Sequence, residues 1–312
     1  MQQTTNTILM IRPINFRMNE ETASTNFYQQ ETKHVLPATI NQKAQEEFDD
    51  LVAKLRKVGV KVLVVDDTKN TNTPDALFPN NWVSFHQNGD VAMYPMFAKN
   101  RRLERREDVL DMLESEGFQI NNIIDYTEAE IEKFYLEGTG SLVLDRVNRK
   151  AYCAISPRTD EELCIEFCED FEFTPVLFKA NQTVAGKREA IYHTNVMMSV
   201  ATSFAIVSLQ SIDDKKERKS LLKQLKLDNK EIITITEKQV DHFAGNMLEV
   251  RGENDKLFLI MSTSAYNSLT SEQLRKLQKH TTIIHSKLET IELSGGGSAR
   301  CMMAEIFLPK TV

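Results

Sequence analysis

The sequence predicts an α/β fold, a five-bladed propeller of five ββαβ units around a central site. Two observations predict it: a recurring order of hairpin, helix and strand, and a fixed period near 55 residues along the chain. KVLVVD (61–66), VSFHQNGDVAMYPM (83–96), GSLVLDRVNRKAYCAI (140–155) and NMLEVRGENDKLFLIM (246–261) carry the strand and polar-turn signals of hairpins. Between them, apolar residues fall at helical spacing in EEFDDLVAKLRKVG (46–59), REDVLDMLESEG (106–117), DEELCIEFCEDF (160–171), KERKSLLKQLKL (216–227) and SEQLRKLQKH (271–280). Several of these open on an acidic residue and end on glycine or a basic one, as helices do.

The period emerges from the polar residues that open each unit's first strand. Asn81, Glu137, His193, Asn246 and Cys301 stand 56, 56, 53 and 55 residues apart. Five such units span residues 1–312 as one expected domain of five pseudo-repeats. Helical arrays contain no hairpins, so a radial arrangement fits better, and it carries the first strand of every unit toward a common axis. The N-terminal strand ILMIRP is expected to complete the last unit beside the strand after Cys301, which closes the ring and removes two sheet edges.

Composition bounds the function. The chain has 312 residues, 41% hydrophobic and 27% charged, outside the range of disordered chains. Lys plus Arg is 38 against 45 Asp plus Glu, a formal charge of −7, so no basic field draws in nucleic acid or anionic lipid. No stretch is long and apolar enough for a membrane span and the N-terminus has no basic leader, so a soluble, cytoplasmic protein is expected. Four cysteines, Cys153, Cys164, Cys168 and Cys301, are too few for a disulfide scaffold. Cys164 and Cys168 lie one helical turn apart on an apolar face and Cys153 lies in a strand, so these three read as core. Neither a CxxC pair nor HExxH occurs, so no metal is expected.

Glycine is scarce, with 11 in the chain, yet Gly295–Gly297 run together just ahead of Cys301 and Gly138 and Gly140 follow Glu137. Glycine permits positive φ and close backbone approach, which suits loops at a crowded centre. A Cys, a His and a Glu converging there form a nucleophile, an acid/base and an orienting carboxylate. Singly, each has an ordinary explanation: a buried thiol, a packed imidazole, a turn residue. The shared repeat phase selects the catalytic one, with Cys301 as attacking thiolate, His193 moving protons near neutral pH and Glu137 holding its partner or gripping substrate N–H groups. Asp66, Asp67 and Asp75 are readable as site carboxylates but are better read as strand-end and turn residues.

The phrases FPNNW, EGTGSLVLD, YHTNVMMS, AGNMLEV and SARCMMAEIFLP, with MIRPINFRMNEETASTN near the start, closely resemble the amidinotransferase and arginine deiminase superfamily, the penteins. Within it, the chain is similar to the arginine deiminase-related, citrulline-utilisation hydrolase (CtlX-type) branch. The resemblance covers nearly the whole chain and implies the same three roles for Cys301, His193 and Glu137. It also implies that Arg158, in AISPRTD, binds a substrate α-carboxylate; that arginine is equally readable as a solvated charge in a turn. Arginine-hydrolysing relatives carry aspartates where this chain has Asn81 and Asn195. A carboxylate only accepts hydrogen bonds, whereas an amide also donates and so satisfies a carbonyl oxygen.

The expected activity is therefore hydrolysis of citrulline, or a close ureido compound, to ornithine, ammonia and carbon dioxide through a Cys301 thioester, with backbone N–H groups of the SGGGSAR loop facing the oxyanion and no cofactor. An arginine deiminase or dimethylarginine-type guanidine hydrolase, an amidinotransferase and a non-catalytic ribosome-binding pentein stay open. Oligomeric state is not readable, so a homo-oligomer also stays open.

Overall fold

Each long helix buries one face because its apolar residues recur at three- and four-residue intervals. In the computed structural model, which describes residues 2–30 and 35–310, the chain begins with β1 (Thr7–Arg12), α1 (Pro37–Lys57) and β2 (Lys61–Asp66). Ile40, Ala44, Phe48, Leu51, Val52 and Leu55 form the buried stripe of α1. The helix starts at Pro37 rather than near 46, because Pro at its first position presets φ while PATINQKAQ carries too little apolar periodicity to be seen.

The second unit contains β3 (Val83–Phe85), β4 (Asp90–Met93), α2 (Glu107–Ser115) and β5 (Asn122–Asp125). The third contains α3 (Gly138–Ser141), β6 (Leu142–Asp145), β7 (Lys150–Ala154), α4 (Glu161–Asp170) and β8 (Thr174–Phe178). Asp160 caps α4 by accepting from the amides of Glu162 and Leu163. A hairpin of β9 (Asn181–Val184) and β10 (Lys187–Ala190) follows. Its strands, NQTV and KREA, lack apolar alternation, which hides them from a periodicity reading. It turns through Ala185 and Gly186, both at positive φ.

The fourth unit runs α5 (Thr194–Met197), β11 (Met198–Val200), β12 (Phe204–Val207), α6 (Lys215–Leu227) and β13 (Glu231–Thr234). The fifth runs α7 (Glu237–Val240), β14 (Leu248–Arg251), β15 (Leu257–Ser262), α8 (Thr263–Ser268), α9 (Ser271–Gln278) and β16 (Thr282–Ser286), before α10 (Glu289–Gly295) and β17 (Ala304–Glu305).

Among the described residues the strands form five three-stranded sheets and the one hairpin. In four sheets the first two strands are antiparallel neighbours and the third returns, after its helix, parallel to the second. The remaining sheet is assembled from both ends of the chain: β17 pairs antiparallel with β1 at Leu9–Ala304 and Ile8–Glu305, and β1 pairs parallel with β2. The fold class is thus the five-bladed α/β propeller. The first strands β3 and β6 are wholly buried toward the axis, while the third strand β5 is largely exposed at the rim. No helix of the described residues is long and apolar enough to cross a membrane.

The five phase residues do not themselves open strands. Asn81 ends a one-turn 3₁₀ segment, Pro79–Asn81, while Glu137 and His193 occupy the caps of α3 and α5. Asn246 follows the turn 241–245, and Cys301 lies in the turn 299–302. Turns there stop each sheet short of the axis and free backbone groups to bond with the adjacent unit. Glycine makes the approach feasible: a Cβ on Gly138, at φ +47°, would fall 2.3 Å from the Asn80 carbonyl oxygen.

Ile8 is fully buried at the seam where the two chain ends share a sheet. Replacing it with alanine is expected to cost about 2–5 kcal/mol, seen as a lower urea midpoint with an unchanged slope. An unmoved midpoint would show that the seam strand contributes little to holding the ring closed.

Candidate active site

The turns of adjacent units are stitched together by side chains that bond to the neighbour's backbone or side chain. Asn80 Nδ2 donates to Thr139 Oγ1 (3.3 Å), and Thr194 Oγ1 donates to the Ser141 carbonyl (2.5 Å). Asn246 Nδ2 donates to the Asn195 carbonyl (3.1 Å), and the Arg300 amide donates to Asn246 Oδ1 (3.0 Å). Local folding therefore places one chemical side chain per unit around a shared axis.

Glu137 and His193 meet directly. Glu137 Oε2 lies 2.7 Å from His193 Nε2, while Oε1 accepts from the Phe97 amide at 3.0 Å. Both residues are sealed, at 0% and 1% exposure. Burial alone would raise the Glu137 carboxyl, but Arg158, the His193 hydrogen bond and Arg101 overcome it and hold the group well below the usual carboxylate range. Burial pushes His193 the other way, below its ordinary value, with Arg158 and Arg101 adding to the fall and Glu137 opposing it. The resting pair is thus an ionised carboxylate and a neutral imidazole. Nε2–H donates to the carboxylate, leaving the Nδ1 lone pair to take a proton.

Cys301, 3% exposed, sits between two amides. Asn246 Nδ2 donates to its sulfur at 3.2 Å and Asn195 Nδ2 at 3.5 Å. Asn195 lies two residues beyond His193 on α5, so this one-turn helix links the thiol to the imidazole–carboxylate pair. Two backbone amides of the same loop are engaged, Arg300 with Asn246 Oδ1 and Cys301 with the Ser298 carbonyl. The donors that reach the Cys301 sulfur are thus side-chain amides from two other units.

Asn81 lies on the other flank. Its Oδ1 accepts from Arg101 Nη1 at 2.9 Å, and its Nδ2 donates to Asn80 Oδ1 at 3.1 Å. Gly140 makes room there, since a Cβ would come 2.5 Å from Asn81 Nδ2 and 2.7 Å from His193 Nδ1. Arg101 is buried, forks onto Glu104 through two 2.9 Å bonds and stands 3.6 Å from Glu137 and 3.8 Å from Asp75. Burial pushes the Glu104 carboxyl up to about 8 against the pull of Arg101. Nothing in KNRRLERRE distinguishes Arg101 from its more exposed neighbours Arg102 and Leu103, so no local signal marks it as interior. Asp75 is a turn residue, as read, and also faces this buried ionic cluster.

Arg158 is buried too, 3.6 Å from Glu137 Oε2 and over the Tyr192 ring at 4.8 Å. Its fork is occupied by the segment 19–30: it donates to Thr25 Oγ1 (2.6 Å) and to the Thr22 carbonyl (3.1 Å). The same segment reaches Asp75 through Asn19 (2.7 Å) and the Gly295 carbonyl through Asn26 (3.2 Å). It closes over the site like a strap. The other cysteines lie elsewhere: Cys153, Cys164 and Cys168 are buried in the apolar core of the third unit, where burial raises the Cys153 and Cys168 thiols.

Several solved structures share the fold. The cyanobacterial arginine dihydrolase ArgZ, in an apo structure, superposes with a TM-score of 0.75 at 16% identity, over 98% of this chain and 41% of that one, so this chain spans about two fifths of that relative. The substrate-bound N-terminal domain of the same enzyme matches with a TM-score of 0.72 at 17% identity, over 97% and 99% of the two chains. A dimethylarginine dimethylaminohydrolase captured as an adduct with S-methyl-L-thiocitrulline matches at 0.63 and 12% identity, over 97% and 100%. At such identities the likeness is one of fold. No curated protein matches the chain in sequence. A family model does: the one described as N,N dimethylarginine dimethylhydrolase, eukaryotic, matches residues 12–308, and the chain belongs to that family, within the amidinotransferase and arginine deiminase superfamily whose five-bladed fold it shares.

Proposed function

We propose that this protein is a cysteine-dependent hydrolase of a C–N bond in a guanidino or ureido amino acid, with citrulline the preferred substrate, as in the citrulline-utilisation branch. The observation that carries the ureido preference is the pair of amide N–H donors, from Asn195 and Asn246, directed at the Cys301 sulfur. Attack by sulfur on a ureido carbon turns its carbonyl into an oxyanion beside the sulfur, where preorganised donors stabilise developing charge. Asn81 and Asn195 as amides add no negative charge to hold a guanidinium.

In the proposed sequence, neutral His193 accepts the Cys301 proton at Nδ1, and the thiolate bonds to the ureido carbon. His193, now cationic and held by Glu137, gives that proton to the departing amine as the C–N bond breaks, releasing ornithine. His193 then takes a proton from water, which hydrolyses the carbamoyl thioester to carbamate, and the proton returns to sulfur. Carbamate decays to ammonia and carbon dioxide. Arg158 is proposed to meet the substrate α-carboxylate once Thr22 and Thr25 release its fork. Substrate binding therefore requires the strap 19–30 to open.

A second reading, a guanidine hydrolase acting on arginine or a methylated arginine, is favoured by a specific feature. Asp75 and Glu137 bring buried carboxyl oxygens to the site, and among the described residues Asp75 Oδ1 has no hydrogen-bond partner, an acceptor open to the N–H groups of a guanidinium. The family description and the substrates named for the fold relatives point the same way. Incubation with citrulline, arginine, dimethylarginine and agmatine separates the readings, since ornithine release from citrulline supports the first and citrulline appearing from arginine reverses it. Product formation only with an added amine acceptor would indicate a transferase. Failure of iodoacetamide to label Cys301 would favour the non-catalytic reading.

Cys301→Ala is expected to lower ornithine release on the order of 10⁴-fold or more, because only binding and donors remain; release at the parental rate would exclude the covalent route. Asn81→Asp is expected to shift selectivity toward guanidino substrates, cutting the citrulline-to-arginine ratio of kcat/KM roughly tenfold or more, as a repelled buried contact does. A ratio unchanged by the variant would remove Asn81 from substrate choice. Because His193 must be neutral to act as base and its folded value is depressed, the acidic limb of kcat/KM is expected below its ordinary 6.5. By the same sign, its contribution to stability is present above 6.5 and is lost as pH falls toward the depressed value. An NMR titration placing His193 protonation at or above 6.5 would contradict both.

A further inference from the structure

Among the described residues, Arg146 is a buried cation with no carboxylate in ion-pair contact. It follows β6 in the turn before β7, and 4% of its surface is exposed. Its backbone amide donates to Gln3 Oε1 at 2.8 Å, and its guanidinium stacks 4.0 Å over the Phe307 ring. Among the described residues, that guanidinium has no hydrogen-bond acceptor and no carboxylate in ion-pair contact. The strongest attractive charge acting on it is Glu305, whose carboxylate is already taken by Arg300 at 2.6 Å. Arg300 and Arg149 repel it, and with burial they draw its basicity down. Charged side chains are almost never buried unless paired. This one faces a cavity of about 180 Å³ shared with His86, Gln87, Arg149 and Phe307.

The cavity's other groups suit an anion. Arg149 sits at its edge, paired with Glu172 at 3.6 Å and donating to the Phe171 and Glu172 carbonyls. His86, stacked 4.0 Å on Phe171 and bonded to Ser84 at 2.8 Å, is kept neutral by burial and by the two arginines. The one carboxylate on the wall, Glu172, is therefore directed at Arg149 and out toward solvent.

We propose that this cavity binds a small oxyanion, a phosphate or a carboxylate, gripped by the planar fork of Arg146. A guanidinium held flat by an aromatic ring presents parallel N–H donors in the geometry such an anion accepts. Neither Cys301 nor His193 lines this cavity, although Arg146 also borders a smaller one reached by Asn195 and Arg300, and its occupancy does not depend on which substrate the thiol centre hydrolyses.

Calorimetric titration and thermal denaturation of the full chain with inorganic phosphate, at constant ionic strength in chloride, test it. The expected result is saturable binding of one phosphate per chain and a melting temperature that climbs with phosphate, as a native-state ligand produces. Arg146→Met keeps the bulk and removes the fork, and is expected to weaken phosphate binding roughly tenfold to a hundredfold. Arg146→Lys keeps the charge without the fork and is expected to fall between the two. A parallel titration with succinate distinguishes the sources, since saturable binding of either ion supports the site and the tighter one names its chemistry. Absence of saturable binding of both ions to the parent overturns the proposal, as does phosphate affinity undiminished in Arg146→Met or, should that variant not fold, in Arg146→Lys.

Discussion

The bonding between neighbouring turns at the axis is the constraint on which the site depends. Sheets end before the centre, and polar groups bond across to a neighbouring unit: Asn80 to Thr139, Thr194 to Ser141, Asn246 to Asn195. These are buried polar contacts, and a buried polar group left unpaired is costly. The ring of turns is therefore held in one register, and the chemical side chains with it. Gly138, Gly140 and Gly245 belong to this constraint, because a Cβ at any of them would strike the adjoining turn.

That register concentrates charge. Arg101 and Arg158 both stand 3.6 Å from the Glu137 carboxylate, which also receives His193. The two guanidinium groups make it easy for Glu137 to stay ionised in a dry site, while burial, helped by their field, keeps the imidazole neutral. The same arrangement would turn favourable to a cationic imidazole once a proton arrives, since Glu137 is already in contact with the ring. An acid/base group needs this balance between two protonation states.

The thiol occupies a different electrostatic setting. Its contacts are neutral amides from two other units, so its surroundings supply donors rather than charge. The strap 19–30 completes the enclosure by engaging Arg158, Asp75 and the glycine run together. Asn19 and Asn26 of the strap donate to Asp75 and the Gly295 carbonyl, while its Thr22 carbonyl and Thr25 hydroxyl accept from Arg158.

Much of this was legible in the chain itself. The 55-residue period, the hairpin–helix–strand order and the identities of Asn81, Glu137, His193, Asn246 and Cys301 at one repeat phase are local patterns, repeated where any reader can compare them. Helices with a clear apolar stripe, such as 161–170 and 215–227, stand where periodicity put them. Polar elements escaped notice: the first turns of α1 and the β9–β10 hairpin carry no apolar rhythm, since their stability comes from docking onto the rest of the protein.

Sequence alone thus determined the repeat, the fold class and the set of side chains sent to the axis, because hydrophobic periodicity and turn chemistry act over a few residues. Only the tertiary structure decided who touches whom: that His193 pairs with Glu137, that Cys301 rests on Asn195 and Asn246, that Arg101 is interior while its basic neighbours are not, and that Asn26 reaches Gly295 from 269 positions away. Those contacts arise from packing five units around one axis, and no spacing along the chain encodes them.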